Sequence, residues 1–489
     1  MRQIALTALL FTLVLSGLAE ARPNLSSSEF NTLKKAAQRA MKAGQFSAAG
    51  GKLRELGKDD SKRAVDFLCS VAKIPDPETY GAAMDAISEM RSEEAEAHIL
   101  KRLGKSGKPA GKMLLVDAMA ERADPFAGKA LGAAVMDKAP EVQRAAVSAI
   151  KRKKLKHALD GLIELLERLE KKDPDGLNYT LVQETLTAVT GESFEKAEDW
   201  KNFWEPRKQQ FRPVTGKVHK KPGGTMQRKR PSFFGSEIRS NRLVFVIDTS
   251  GSMQQADPER AGTGGGAGGR PPRTPTGGPG GAGAAPVSNS RVRIERAKFQ
   301  LVQVIKSLPK DAHFTILAYS GVLVAGPGGQ AGLPKGADPN GPLPPKLAGF
   351  EWLKQWKPKL MPASKGNKES AMAFVKGLQA NGGTFTLNAL KHAIRVADAD
   401  TIVVLSDGYP NDHNPKTNAS MGGEEILKEV KALNRMKRLV IDTFGFDPSA
   451  GAGGGLPGRS RQGGGGMGSL GKFMQDLASQ NGGRYTQIK

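Results

Sequence analysis

Val244-Phe245-Val246-Ile247-Asp248-Thr249-Ser250-Gly251-Ser252-Met253 is the stretch on which the reading of this chain turns. Four apolar residues, with Leu243 before them, run into a carboxylate, and hydroxyls follow at alternating positions. A short, near-continuous apolar run is what a parallel strand covered on both faces requires. In a tight loop after such a strand, residues i, i+2 and i+4 can turn their oxygens toward one point, and Gly251 lets the backbone bend there. One carboxylate and two hydroxyls suit a hard cation rather than a soft one.

Outward from this stretch the same grammar continues. Leu243 to Ile247, His313 to Tyr319, Thr401 to Leu405 and Leu439 to Phe444 read as strands, and Arg484 to Ile488 as a last one. Ile294 to Leu308, Lys368 to Leu378, Thr386 to Val396 and Glu424 to Met436 read as the helices between them. That alternation predicts a doubly wound, Rossmann-like α/β sheet. The strand from Thr401 also leads into an acid, Asp407, in Ser406-Asp407-Gly408. In a parallel sheet both acids sit at the carboxyl ends of strands, where ligands bind if the strand order reverses. Two carboxylates that close repel and shift each other's pKa unless a cation lies between them. Gly382-Gly383-Thr384-Phe385-Thr386, just before a helix, offers Thr384 as a third hydroxyl, with Thr386 available as the helix cap.

Asp-x-Ser-x-Ser, Gly-Gly-Thr and Ser-Asp-Gly, in this order and on these elements, resemble the metal ion-dependent adhesion site (MIDAS) of von Willebrand factor A domains. Phe473 to Tyr485 also looks like the last helix and strand of that family, so the resemblance covers about Asn241 to Lys489. It implies that Ser250, Ser252 and Thr384 bind a metal directly, with Asp248 and Asp407 acting directly or through water. The cofactor it implies is a divalent cation, Mg²⁺ first, with Mn²⁺ or Ca²⁺ as alternatives. The partner it implies is a protein presenting an Asp or Glu carboxylate. The departure from the family pattern is the long insert after Met253, which bears on access to the site.

The rival chemistries are poorly served. A phosphoryl-accepting aspartate wants a second acid two residues on, where this chain has Ser250. There is no HExxH and no Gly-x-Ser-x-Gly, and the six histidines show no ligand spacing. His413 lies near the expected metal edge and reads as a loop residue. The chain is therefore not expected to be an enzyme, and a hydrolase of unknown type is kept as a distant alternative.

The 489 residues suffice for two or three domains. Residues 22–205 are rich in helical periodicity. Val142, Ala145, Ala146, Ala149 and Ile150 mark one face, and Leu159, Leu162, Ile163, Leu166 and Leu169 another. Asp124-Pro125 and Ala139-Pro140 punctuate helix starts, and Lys151 to Lys156 reads as a Lys-rich turn. Pro140 to Leu169 resembles a HEAT-type repeat; an irregular helical bundle is the alternative. Trp200, Phe203 and Trp204 share one helix face and read as core. The expected organisation is thus multidomain: a helical repeat domain over 22–205, a basic linker over 206–240 and the α/β domain over 241–489. Gly/Pro-rich inserts near 257–290, 321–347 and 448–469 interrupt the last of these. Gly262 to Gly266 lacks the Lys and Ser/Thr of a phosphate loop.

Arg2, the apolar Ile4 to Leu18 and Ala19-Glu20-Ala21 read as a signal peptide over 1–21. The mature protein is then expected to be exported, whether periplasmic, cell-surface or secreted, and not membrane-spanning. The single Cys69 permits no intramolecular disulfide and reads as a buried, inert thiol. The formal net charge is +24, and Pro206 to Arg242 carries eleven Lys or Arg against the single acid Glu237. Lys217, Lys220, Lys221, Arg228, Lys229 and Arg230 form a candidate polyanion site with Phe233 and Phe234 beside it; the alternative is a solvated linker. Nucleic acid is not expected as a partner of an exported chain, so an anionic envelope polymer is the second candidate ligand.

Overall fold

The computed structural model describes residues 24–105, 107–214, 230–257, 288, 290–321, 324–325, 331–332, 353–412, 419–446 and 470–488. The expected signal peptide, Lys217, Lys220, Lys221, Arg228, Lys229, His413 and most of the three Gly/Pro-rich inserts lie outside them. The chain divides into two compact units, Met1–Lys105 and Ser106–Lys489.

The first unit is all-helical: α1 (Ser27–Lys42), α2 (Phe46–Leu56), α3 (Lys62–Val71), α4 (Pro77–Ser88) and α5 (Glu93–Gly104). Capping sets the starts. Ser26 and Glu29 form a reciprocal capping box on α1, Asp76 caps α4 and Ser92 caps α5. Helices pack on their successors and next-but-one neighbours, α2 on α4 and α3 on α5, around Leu53, Leu56, Leu68, Ile87 and Ile99. Cys69 belongs to this core, and burial pushes its thiol up to about 12, which makes it inert.

The second unit opens with more helices in series: α6 (Pro109–Glu121), α7 (Pro125–Ala134), α8 (Pro140–Lys153), α9 (Leu159–Lys172), α10 (Leu177–Thr190) and α11 (Ala197–Trp204). Proline stands at the start of α6, α7 and α8, where its missing N–H has no partner to lose. The turn expected over Lys151 to Lys156 is shorter than that. Lys151, Arg152 and Lys153 form the last turn of α8, where cations suit the helix dipole, and left-handed Lys154 ends it. Trp200 and Trp204 are buried core residues, as their spacing predicts.

The α/β layer follows. Its main sheet runs β11 (Tyr485–Ile488), β10 (Val440–Phe446), β9 (Thr401–Ser406), β3 (Arg242–Asp248), β4 (His313–Tyr319) and β7 (Leu353–Gln355), with β8 (Met361–Pro362) also on β4. β11, β10, β9, β3 and β4 are mutually parallel; β7 and β8 run antiparallel to β4. Two short hairpins, β1 (Ser232–Phe233) with β2 (Ser236–Glu237) and β5 (Val324–Ala325) with β6 (Ala331–Gly332), stand outside this sheet. The helices are α12 (Arg293–Ser307), α13 (Lys365–Lys376), α14 (Thr386–Arg395), α15 (Gly423–Asn434) and α16 (Leu470–Gln480). Strand side chains alternate between two buried faces. Leu243, Phe245 and Ile247 pack toward α12 and α13, and Val244 and Val246 toward α14, α15 and α16. From β3 the order steps to β4 on one side and to β9 on the other, so the switch point lies between the carboxyl ends of β3 and β9.

The opposite, amino ends of the strands are tied to the helices of the same unit. Arg144 of α8 donates to the carbonyls of Lys437 and Arg438, each at 2.9 Å, and Arg438 pairs with Asp117 of α6. Arg239 is buried; it lies 2.7 Å from Asp442 of β10 and 3.4 Å from Glu184 of α10. Removing one partner of such a buried pair leaves an uncompensated charge. Arg239→Ala is therefore expected to lower the stability of this unit by about 3 kcal/mol, read as a lower urea midpoint at unchanged slope.

Candidate metal centre

Asp248 ends β3 at the switch point and is fully buried. Its Oδ1 accepts from the Ser250 backbone N–H at 2.8 Å and its Oδ2 from the Ser406 hydroxyl at 2.5 Å. The Ser250 N–H bond curls the loop back over the strand end, which brings the Ser250 and Ser252 hydroxyls to 3.1 Å from each other. Asp407, one residue past β9, accepts from the Ser252 hydroxyl at 2.6 Å. The two acids expected to be neighbours are therefore bridged by the serines between them.

Thr384 arrives from a third segment. Gly251 donates to the Gly382 carbonyl at 2.8 Å and Asn381 to that of Thr249 at 2.7 Å, which pins the Gly-Gly-Thr turn to the serine loop. Asn411 reinforces it: its side-chain oxygen accepts from the Thr384 N–H at 3.0 Å, and its own N–H donates to the Thr384 carbonyl at 2.7 Å. A Cβ at Gly408 would sit 2.7 Å from Thr384 Oγ1 and 3.7 Å from Ser252 Oγ. The glycine thus keeps open the space that these hydroxyls border.

All five expected residues, Asp248, Ser250, Ser252, Thr384 and Asp407, meet at one edge. Three hydroxyls and two carboxylates fit a hard cation. Among the described residues no group of three or more His, Cys, Asp or Glu is placed to hold a metal. Burial, then the charge of Asp407, pushes the Asp248 carboxyl up to about 7. A cation between the two acids acts in the opposite sense and favours both ionised forms.

Residues 346–454 match the family model of the von Willebrand factor type A domain. This match covers β7 through β10, including Thr384 and Asp407, and the geometry joins it to the Asp248 to Ser252 loop. The C-terminal α/β layer matches the fold of a von Willebrand factor A domain. The sequence is also 32% identical over 110 residues to human inter-alpha-trypsin inhibitor heavy chain H4, across 19% of this chain and 11% of that protein. The chain thus spans about a tenth of that relative's length. Two solved structures resemble it over half of its length. One is a von Willebrand factor type A protein from Catenulispora acidiphila, at 17% identity, TM-score 0.28 and 38% of that chain. The other is an aerotolerance-related membrane protein from Bacteroides fragilis, a variant with multiple mutations to serine, at 16%, 0.27 and 90%. Domains of this family are protein-interaction modules.

Several residues around this edge differ from expectation in their roles. Thr386 does not cap α14; the Asp412 carboxylate does, accepting from the N–H groups of Thr386 at 2.9 Å and Leu387 at 3.0 Å. Burial pushes Asp412 up to about 7 against those two bonds. Its position 26 residues beyond the helix start hides it from any local capping pattern. Arg230 is not a free polyanion contact: it donates to the Thr180 hydroxyl at 2.6 Å and lies 3.4 Å from Glu237. Phe233 is in the main core against Phe245 and Phe444, and Phe234 packs on it, so neither is a loose aromatic beside a basic tract. Arg293 carries no signal in the sequence beyond its place before an expected helix. It is buried and donates to Asp407 Oδ2 at 2.8 Å.

Proposed function

We propose that this is an exported adhesion or adaptor protein that grips an acidic group of a partner protein through a divalent cation, Mg²⁺ first. Ser250, Ser252 and Thr384 would hold the ion, with Asp248 and Asp407 supplying the negative charge. The observation that carries this reading is the meeting of five oxygen-bearing side chains from three segments at the sheet's switch point. Mg²⁺ takes six oxygens, so three protein hydroxyls leave positions that a partner carboxylate can complete. The Asn411 bonds fix Thr384, the Ser250 N–H and the Ser406 hydroxyl fix Asp248, and Gly408 leaves room at the hydroxyls.

Among the described residues no helix is long and apolar enough to cross a membrane. The signal-like N-terminus supports export.

The test is capture of partners from an envelope extract by the mature protein, with Mg²⁺ and with EDTA. Partner retained in Mg²⁺ and released by EDTA supports the reading, as does its loss with Asp248→Ala at an unchanged circular dichroism spectrum. Capture that ignores EDTA but disappears with rising salt would instead assign binding to the basic stretch 206–230.

A further inference from the structure

Arg293 opens α12, is 3% exposed and stands between two carboxylates. Its Nη1 donates to Asp407 Oδ2 at 2.8 Å, and its Nε donates to Asp257 Oδ1 at 2.9 Å. Its backbone N–H is anchored on the Gln255 carbonyl at 3.0 Å. One of these carboxylates belongs to the cation cluster and the other does not. Asp257 is itself fixed: its N–H donates to the Arg291 carbonyl at 2.9 Å, its carboxylate also pairs with Arg296, and Ala256 bridges Val292. The other oxygen of Asp407 accepts from Ser252. A fixed, permanently charged guanidinium thus covers the face of Asp407 that Ser252 leaves open.

We propose that Arg293 is a built-in competitor of the cation, lowering the affinity of the Asp248–Asp407 centre and turning toward Asp257 when a divalent ion loads. The proposal rests on the cation reading of that centre. A guanidinium does not lose its proton at any physiological pH, so its competition cannot be removed by titration. A divalent ion drawn to Asp407 meets a positive charge on the same carboxylate, and the two repel across a site with little water. Asp257 is the second anion that lets the guanidinium yield without being left buried and unpaired. The two acids therefore have opposite effects: Asp407 attracts the ion, and Asp257 draws the competitor away from it.

The experiment is Mn²⁺ binding to the full chain, followed by electron paramagnetic resonance of the free ion, in wild type, Arg293→Gln and Asp257→Asn. Arg293→Gln is expected to bind Mn²⁺ about tenfold tighter. Asp257→Asn is expected to bind about tenfold weaker, because the guanidinium then rests wholly on Asp407. If Arg293→Gln does not fold, as judged by its melting curve, the Asp257→Asn arm decides alone. Equal affinity in wild type and the folded variants overturns the competitor and leaves the cation centre standing. Weaker binding by Arg293→Gln also overturns it, since Arg293 would then be a positioning residue for Asp407. No saturable Mn²⁺ binding by any of the three proteins overturns the cation reading and this proposal together.

Discussion

Gly483→Ala is expected to destabilise the α/β layer by about 4 kcal/mol or more. The chain leaves α16 through Gly482, in the left-handed region at φ +68°, and Gly483 then donates to the Ala478 carbonyl at 2.9 Å. At that point it presses on the backbone of β10. A Cβ on Gly483 would overlap the Ile441 carbonyl and come to 3.0 Å from the Asp442 nitrogen. Neither side can retreat. Ile441 is inside the sheet, paired with Ile402 of β9, and Asp442 is held by Arg239 and by the Arg484 N–H at 2.8 Å. Relief requires β11 to leave β10, which breaks the parallel pairing from Thr443 to Phe446. Gly482→Ala is the control. It meets nothing nearer than Val440 Cγ2 at 3.9 Å and bears only the left-handed backbone, so about 1–2 kcal/mol is expected. Urea titrations of both variants check the pair; equal losses would mean that the Gly483 approach to β10 is wrong.

That turn shows where the sequence stops being readable. Strands buried on both faces write themselves as apolar runs, so β3, β4, β9 and β10 are legible from Val244, Phe245, Val404, Ile441 and their neighbours. The antiparallel edge is not. β7 and β8 have three and two residues, and Leu353-Lys354-Gln355 carries no alternation long enough to detect. The tract from Pro206 to Arg242 misleads through its charge. A count of basic residues does not show that Arg239 is spent on Asp442 and Glu184, or Arg230 on Glu237, because those acids come from other elements.

The proposed cation centre is legible for a different reason. Each of its donors follows a strand end or precedes a helix, so local pattern gives both its identity and its place. Asp412, Asn411 and Arg293 act on it through side chains from loops and a helix start, at positions with no fixed offset from the residues they serve. Physical chemistry predicts that the N–H groups at the start of α14 need a partner, but it does not say which carboxylate comes.

Asp407→Asn is expected to weaken divalent-cation binding about a thousandfold, on the order of 4 kcal/mol. The loss exceeds that of one ordinary ligand because of what surrounds the residue. Asp248, Asp407 and Asp257 supply three negative charges there, and the guanidiniums of Arg291, Arg293 and Arg296 stand against them. Asp407→Asn removes one of the three negative charges, leaving the guanidinium of Arg293 beside the ion with no carboxylate between them. Asp248 recovers part of the loss, since the charge of Asp407 is the second cause, after burial, that pushes its carboxyl up to about 7. That recovery cannot restore the missing charge. The amide oxygen still accepts from the Ser252 hydroxyl, so the loop should hold its course and the circular dichroism spectrum should not change. Mn²⁺ titration of the folded variant is the measurement. Affinity within tenfold of wild type would remove Asp407 from the centre, and with it the case that a strand-end acid from each side of the switch point shares one ion.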